Sequence, residues 1–202
     1  MVLRKRAILN KLREWIGPLT FLILCLVTRT SIAGHYQIPT GSMLPAVQID
    51  DRILVNKTAY CLRVPISGTC AIETGMPARG DVVVLDPPED GDIPLLKRVV
   101  ALPGETVEIA NGRVLINGQQ VRYETHTGEI LETLGTNSHV ISSAPGPDFG
   151  PVVVPTGELL VLGDNRGNSR DGRFFGFIPT KSLVGRATKV FLRHGSWIWD
   201  DL

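Results

Sequence analysis

The chain has 202 residues, 43% of them hydrophobic and 20% charged. That length accommodates one domain with a real core, and a net charge of +1 argues against nucleic acid as a partner, since no global basic field is present. Its 21 glycines and 14 prolines favour many turns and a strand-rich fold.

The charge is uneven along the chain. Arg4, Lys5, Arg6, Lys11 and Arg13 crowd residues 1–14, opposed there by Glu14 alone. Residues 15–28 then run without a charge until Arg29. This is shorter than the roughly 20 residues a spanning helix prefers. Snorkelling of Arg13 and Arg29, with the mild residues up to Gly34, extends it. A single membrane anchor over 15–34 is the favoured reading. The basic flank then places 1–14 in the cytoplasm and 35–202 outside it. Two alternatives stay open. A cleaved signal peptide fits the short apolar run and the small residues of the stretch SIAG, 31–34. A buried core helix is the other. Cys25 is expected to pack in this run as a small hydrophobe.

The stretch YQIPTGSMLPAV, 36–47, sets Ser42 between Gly41 and Met43, with Pro39 and Pro45 on either side. Neither a flexible linker nor a plain strand has that composition, so the segment is expected to hold a fixed local shape. Arg52–Asn56 reads as a strand with Ile53 and Val55 on one face. Cys61 and Cys70 bracket LRVPISGT. Outside the cytoplasm a disulfide between them closes that loop; two free buried thiols are the alternative. No second Cys or His pair stands at zinc-ligand spacing. Residues 65–80 read as loop, 81–85 as a short apolar strand, and IPLLKRVVA, 93–101, as another strand ended by Pro103-Gly104. Asn111-Gly112 and Asn117-Gly118 each stand between apolar runs and predict tight hairpin turns. Residues 124–151 are weakly patterned and read as surface loop or an irregular sub-domain, with about 107–151 as a small insertion. Strands are expected at 152–154 and 159–162, and a last one at 183–193. The fold class is therefore mostly β, an antiparallel sheet or barrel-like catalytic domain behind an N-terminal transmembrane helix.

A serine needs a base to become a nucleophile. The four histidines, His35, His126, His139 and His194, lie in no sharp motif and are expected at the surface. A Ser-His-Asp triad stays open, because its members need not be neighbours in the chain. The strand-to-helix elbow GxSxG is absent. Lysine is the other candidate, and it must first lose its proton. At a reference pKa near 10.4, about one molecule in a few thousand is neutral at pH 7, and a three-unit shift corresponds to roughly 4 kcal/mol of differential solvation. Lys97 has a suitable setting: strand alternation puts it with Leu95, Val99 and Ala101, while Arg98 points the other way toward solvent or an acid. The competing reading is an edge-strand lysine that discourages aggregation. The stretch GDNRGNSRDGRFFGFIP, 163–179, mixes Asp164 and Asp171 with Arg166, Arg170 and Arg173 before turning aromatic. It reads as a simple turn or as a buried network of charge-assisted hydrogen bonds. Its acids are too few for a calcium cage.

Three segments together, IPTGSMLPAV, LLKRVVALPGE and GDNRGNSRDGRFFGFIP, resemble the signature boxes of type I signal peptidases, membrane-anchored Ser-Lys endopeptidases. One such box is a weak signal; three in order, behind a basic-flanked anchor, are specific. The resemblance implies Ser42 as nucleophile and Lys97 as general base. Thr40 matches a hydroxyl that forms the oxyanion hole with the N–H of Ser42. Ser169 matches a serine that hydrogen-bonds the lysine amine. Asp171 and Arg173 match a supporting ion pair, and Asp164 another acid of the same box. Ile38, Pro39, Met43 and Leu96 fall where the family lines shallow pockets for small side chains. Gly167, Gly172 and Phe175 depart from the family's usual residues and bear on substrate preference.

The resemblance further implies removal of signal peptides from secreted precursors, with no metal or cofactor. The expected partners are those signal peptides and membrane lipid, at the extracytoplasmic face of the inner membrane in a single-pass protein. A related peptidase maturing one precursor in a conjugation or pilus system is the main alternative. A self-cleaving repressor and a non-enzymatic membrane-anchored β module are further ones.

Overall fold

A computed structural model of the chain describes residues 15–22, 25, 31–64, 67–88, 91 and 93–202. The basic stretch 1–14 lies outside the described residues, as do 23, 24 and 26–30 of the expected anchor. Residues 15–22 are helical and exposed, and Cys25 is a free, exposed thiol rather than a packed one. Among the described residues, no helix is long and apolar enough to cross a membrane. Strand β1 (Ala33–Gln37) overlaps the last two residues of the expected anchor.

The strands pair antiparallel throughout the described residues, and the principal sheet runs β1-β2-β16-β5-β6-β14-β15 with β17 on β16. Its members are β1, β2 (Arg52–Asn56), β5 (Val82–Leu85), β6 (Leu95–Ala101), β14 (Glu158–Leu162), β15 (Ile178–Pro179), β16 (Leu183–Arg193) and β17 (Ser196–Asp201). The sheet is open, with β1 and β15 at its ends, rather than a closed barrel. β5 and β6 are near-continuous apolar runs because both of their faces are covered; all four residues of β5 are buried. A second sheet runs β13-β7-β8-β9: β13 (Phe149–Val153), β7 (Thr106–Ala110), β8 (Arg113–Ile116) and β9 (Gln119–Gln120). Its two turns are the Asn-Gly pairs. Asn111 and Gly112 have φ of 52° and 72°, and Asn117 and Gly118 52° and 76°, the left-handed values that a tight hairpin requires.

Four sequence expectations change. Residues 124–151 are not irregular: β10 (Arg122–His126), β11 (Glu129–Leu134) and β12 (Asn137–Ile141) form a three-stranded sheet. The inward positions of β11 and β12 are Glu132, Leu134, His139 and Ile141. Two of those four are polar, which hides the alternation that marks a strand. The 65–80 loop contains part of a hairpin, β3 (Cys61–Arg63) with β4 (Cys70–Glu73), closed by a Cys61–Cys70 disulfide with Cα atoms 5.7 Å apart. β16 is followed by β17, whose alternate residues Trp197 and Trp199 are exposed. A short helix, Gly172–Phe175, lies in the polar stretch and is capped by Asp171.

The core lies between these layers. Ile38, Met43 and Val47 pack with Ile53, Val55, Val84 and Leu96. Val107, Ile109, Val114, Ile116 and Leu134 share a second cluster with Val100, Ala101, Leu160 and Leu162, so the residues after β6 pack onto β6 and β14.

Candidate active site

The segment around Ser42 is held by its own apolar residues and by an ion pair between buried Asp51 and half-buried Arg193. Met43 and Val47 are fully buried, each worth about 1.5–3 kcal/mol of burial. The Leu44 N–H donates to the Gly41 carbonyl (3.2 Å) and the Val47 N–H to the Met43 carbonyl (2.9 Å), forming a turn that starts at the serine. The ends of the loop are tied: the Ile38 N–H donates to Asp51 O (2.9 Å) and the Asp50 N–H to Ile38 O (2.8 Å). Asp51, with no exposed surface, accepts from the Gln48 N–H (2.8 Å) and from Arg193 Nε (3.0 Å) and Nη2 (2.7 Å). β1 ends at Gln37, so strand alternation does not govern how Thr40 and Ser42 are related. Thr40 is exposed and Ser42 half-buried. Met43, expected at a substrate pocket, is core instead: its fully buried side chain packs beneath the turn and anchors it.

Lys97 stands on β6, flanked in the sheet by β5 and β14, so it is no edge-strand lysine. The residue is 3% exposed. Its Nζ donates to Ser42 Oγ at 2.8 Å and to the Leu96 carbonyl at 3.1 Å. Burial lowers its pKa to about 8, with the Asp171 and Asp164 carboxylates pulling partly the other way. A pKa near 8 leaves roughly one amine in ten neutral at pH 7, against about one in a few thousand for a free lysine.

The polar stretch 163–173 wraps the back of this pair. Asn165 donates its N–H to Ser42 O (3.0 Å) and its Nδ2 to Gly41 O (2.9 Å), holding the serine's own backbone. Asp171 accepts from the Gly163 N–H (3.0 Å) and pairs with Arg173 through Nε (2.9 Å) and Nη2 (2.8 Å). Asp164 takes both arms of Arg98, at 2.8 and 2.7 Å, so Arg98 reaches an acid rather than solvent. Arg166 is gripped by Glu132 of β11, with Nη1 donating to Oε1 at 2.8 Å and Nη2 to Oε2, and its Nε donates to the Gly163 carbonyl (3.2 Å). Burial pushes the Glu132 carboxyl up, but the Arg166 guanidinium and the His139 ring together more than offset this and hold it well below the usual carboxylate range. Ser169 is buried, yet its Oγ has no protein partner; the bond to the Lys97 amine that the resemblance implies is not formed.

The sequence reading missed several members of this assembly. Asn165 stands in a stretch already singled out for its polar density, where Arg166 is itself read as part of a buried network. Glu132 carried no signal, because its strand was not recognised. His139, expected at the surface, is buried with Nε2 3.1 Å from Glu132 Oε2. The other three histidines are exposed, and no histidine is bonded to Ser42 among the described residues. A cavity of about 90 Å³ is lined by Ile38, Pro39, Thr40, Leu96 and Lys97, beside the reacting pair. A larger one, about 510 Å³, is lined by Pro45, Ala46, Arg98 and His139. The smaller is the better candidate, since it holds the amine and the larger does not. Among the described residues, no three His, Cys, Asp or Glu side chains gather as metal ligands.

An alcohol bonded to a buried, pKa-lowered amine beside a small apolar cleft is the equipment of a hydrolase that attacks carbonyl groups. The family described as signal peptidase, peptidase S26, matches residues 12–192. A signal peptidase I of Leptolyngbya laminosa is 36% identical over 177 residues, covering 84% of this chain and 74% of that protein. A signal peptidase I of Pseudomonas aeruginosa is 35% identical over 221 residues, covering 96% and 75%. A crystal structure of a signal peptidase I from Enterococcus faecalis is 29% identical and covers 55% of this chain and 96% of its own; the superposition is loose, with a TM-score of 0.39. On the sequence matches, the chain belongs to the signal peptidase family, peptidase S26, and is a peptidase.

Proposed function

We propose that this peptidase is a membrane-bound serine endopeptidase that removes N-terminal signal peptides from secreted precursors through a Ser42–Lys97 dyad. The observation that carries the reading is the 2.8 Å contact between Lys97 Nζ and Ser42 Oγ, made by an amine that burial brings to a pKa of about 8. In this reading neutral Lys97 accepts the Ser42 proton as Oγ attacks the scissile carbonyl. The amine then gives that proton to the leaving nitrogen, and activates the water that releases the acyl-enzyme. The Thr40 hydroxyl and the Ser42 N–H stabilise the oxyanion. The substrate binds extended, with small side chains at the first and third positions before the cut facing the cleft of Ile38, Pro39 and Leu96. Asp171–Arg173 and Asp164–Arg98 fix the loop behind the dyad, and the Ser169 hydroxyl, which makes no bond to the amine at rest, turns to it and orients it during the reaction. No metal or cofactor takes part.

The protein is held by a single anchor in the inner membrane, with 35–202 as the extracytoplasmic peptidase domain and about 107–151 as a small insertion. Lipid is then its surrounding and a secretory precursor its substrate. The test is cleavage of a precursor peptide in detergent by the wild type, Ser42→Ala and Lys97→Ala. Both variants are expected to lose activity while keeping their fold. A substantially active Lys97→Ala would sink the assigned base.

A further inference from the structure

The larger cavity, about 510 Å³, has no part in the chemistry proposed above, yet its volume falls in the range of about 300–1,000 Å³ usual for ligand sites. β6 turns Lys97 toward the small cleft and Arg98 toward this cavity. The loop repeats that order: residues 38–40 line the cleft, Ser42 follows, and Pro45 and Ala46 line the cavity. Pro45 stands one turn beyond Ser42, about 5–7 Å away. The two hollows therefore flank the nucleophile. Asn137, Ser138, His139 and Val140, consecutive residues of β12, also line the cavity. A hollow that touches consecutive residues of a strand lies along its edge rather than on one face. β12 pairs with β11 alone among the described residues, so that edge carries main-chain groups with no strand beside them. His139 adds a buried acceptor. It is 7% exposed, its Nε2 is turned to Glu132, and its Nδ1 has no hydrogen-bond partner. With the ring proton on Nε2, Nδ1 accepts. Arg98 is no anion site, because Nε and Nη2 are spent on Asp164 and Nη1 on the Gly80 carbonyl (2.8 Å). An open strand edge with an acceptor beside it is what an extended peptide uses.

We propose that this cavity binds the mature part of the precursor, the chain downstream of the cut, as an added strand on the free edge of β12. The inference rests on the function proposed above. Residues before the cut occupy the cleft of Ile38, Pro39 and Leu96. Residues after it pass the rim formed by Pro45 and Ala46 and lie along 137–140. An extended chain advances about 3.3 Å per residue, so roughly the third to seventh residues after the cut reach this edge. Main-chain hydrogen bonds carry the affinity, so the site tolerates many mature sequences. A donor of the bound chain reaches His139 Nδ1. His139 faces Glu132, and Glu132 grips Arg166, which braces the Gly163 carbonyl. An occupied edge is thereby joined to the loop that holds Ser42.

The test gives the detergent-solubilised wild type precursor peptides that share the residues before the cut. A short one carries about two residues after it and a long one about twelve, enough to cover the edge. A third is the long peptide with the main-chain nitrogens from the third to the eighth residue methylated, so that they cannot donate to a strand. The long peptide is expected to show a kcat/KM at least about tenfold above the short one, chiefly through KM, and methylation to remove most of that gain. Thr136→Trp sets a large ring at an exposed position of the cavity lining and is expected to narrow the ratio between long and short peptides. A photoreactive benzoylphenylalanine at the fifth residue after the cut, irradiated with full-length Ser42→Ala, is expected to label 136–140. If the short peptide is cut and the long one is cut no better, the site does not exist, although the proposed function stands. If neither is cut, it is the proposed function that fails. A gain that survives methylation would overturn the strand pairing. Label found only outside the cavity, or an unchanged ratio in a folded Thr136→Trp, would overturn the placement; should that variant not fold, the peptides and the label decide.

Discussion

In the proposed mechanism Lys97 carries the chemistry at the scale of a single residue, and its burial has a cost in stability. Its folded pKa is about 8, below the ordinary 10.5. Between those values the unfolded chain holds the proton and the folded one does not, so stability rises with pH across the window. Below pH 8 the full penalty is present, about 3 kcal/mol for a shift of that size. Lys97→Met is therefore expected to abolish cleavage yet raise stability at pH 7 by about 1–3 kcal/mol, with the gain shrinking as pH approaches 10.5. Thermal melts at pH 7 and pH 10 check it; an equal gain at both would contradict the assigned cause. Catalysis should climb as the amine deprotonates, with an apparent pKa near 8 in the pH profile of kcat/KM. A flat profile from pH 6 to 10 would count against it.

Ser169 offers a second test at this scale. Its buried hydroxyl has no protein partner, so Ser169→Ala should leave stability nearly unchanged. If the side chain turns to the amine during the reaction, kcat falls and the pH profile moves. An unaltered kcat and profile would leave Ser169 a packing residue. In the proposed mechanism Thr40→Val removes one oxyanion donor and is expected to lower kcat by about 10²–10³.

Among the elements, the 163–173 stretch decides where the serine sits. Asn165 holds the Ser42 and Gly41 carbonyls, and Gly163 passes close to the same turn. A Cβ on Gly163 would run into the Ser42 carbonyl and Ser169 Oγ, and the Ser42 carbonyl is backbone that cannot swing aside. Gly163→Ala is therefore expected to destabilise by about 1–3 kcal/mol, as overpacking does, and to displace the nucleophile. Denaturant unfolding beside kcat measures both; full activity with unchanged stability would refute the placement. The β3–β4 hairpin is closed by Cys61–Cys70 across nine residues of separation. A loop of that size is worth about 2–3 kcal/mol on the chain-entropy account, so Cys61→Ser with Cys70→Ser should lose roughly that.

On the scale of the molecule, the site depends on an element far from it in the chain. Glu132, on β11, grips Arg166, and Arg166 braces the Gly163 carbonyl one residue from the acid that pairs with Arg98. Both partners are buried, so Glu132→Ala would leave a guanidinium without its counter-ion. A loss of about 3–5 kcal/mol is expected, against a smaller one for Glu132→Gln, which keeps an oxygen toward Arg166. Chemical denaturation of both variants checks this. Equal small losses would mean that the three-stranded sheet does not support the catalytic loop.

The sequence by itself determined the strands whose residues alternate or are wholly apolar and the two Asn-Gly turns, while Ser42 and Lys97 stood out as a pair only through the resemblance of three segments to the signal peptidase boxes. Those features are local: period, turn chemistry and residue type are written in neighbouring positions. Tertiary structure alone decided that the amine lies 2.8 Å from the hydroxyl, that Arg98 is spent on Asp164, and that Glu132 and His139 face inward. It also decided that Met43 is core and that Ser169 does not touch the amine. The reason is physical. Burial and pairing depend on which distant segments meet. A buried carboxylate looks like a surface one in sequence, because the arginine that makes its burial tolerable stands 34 positions away.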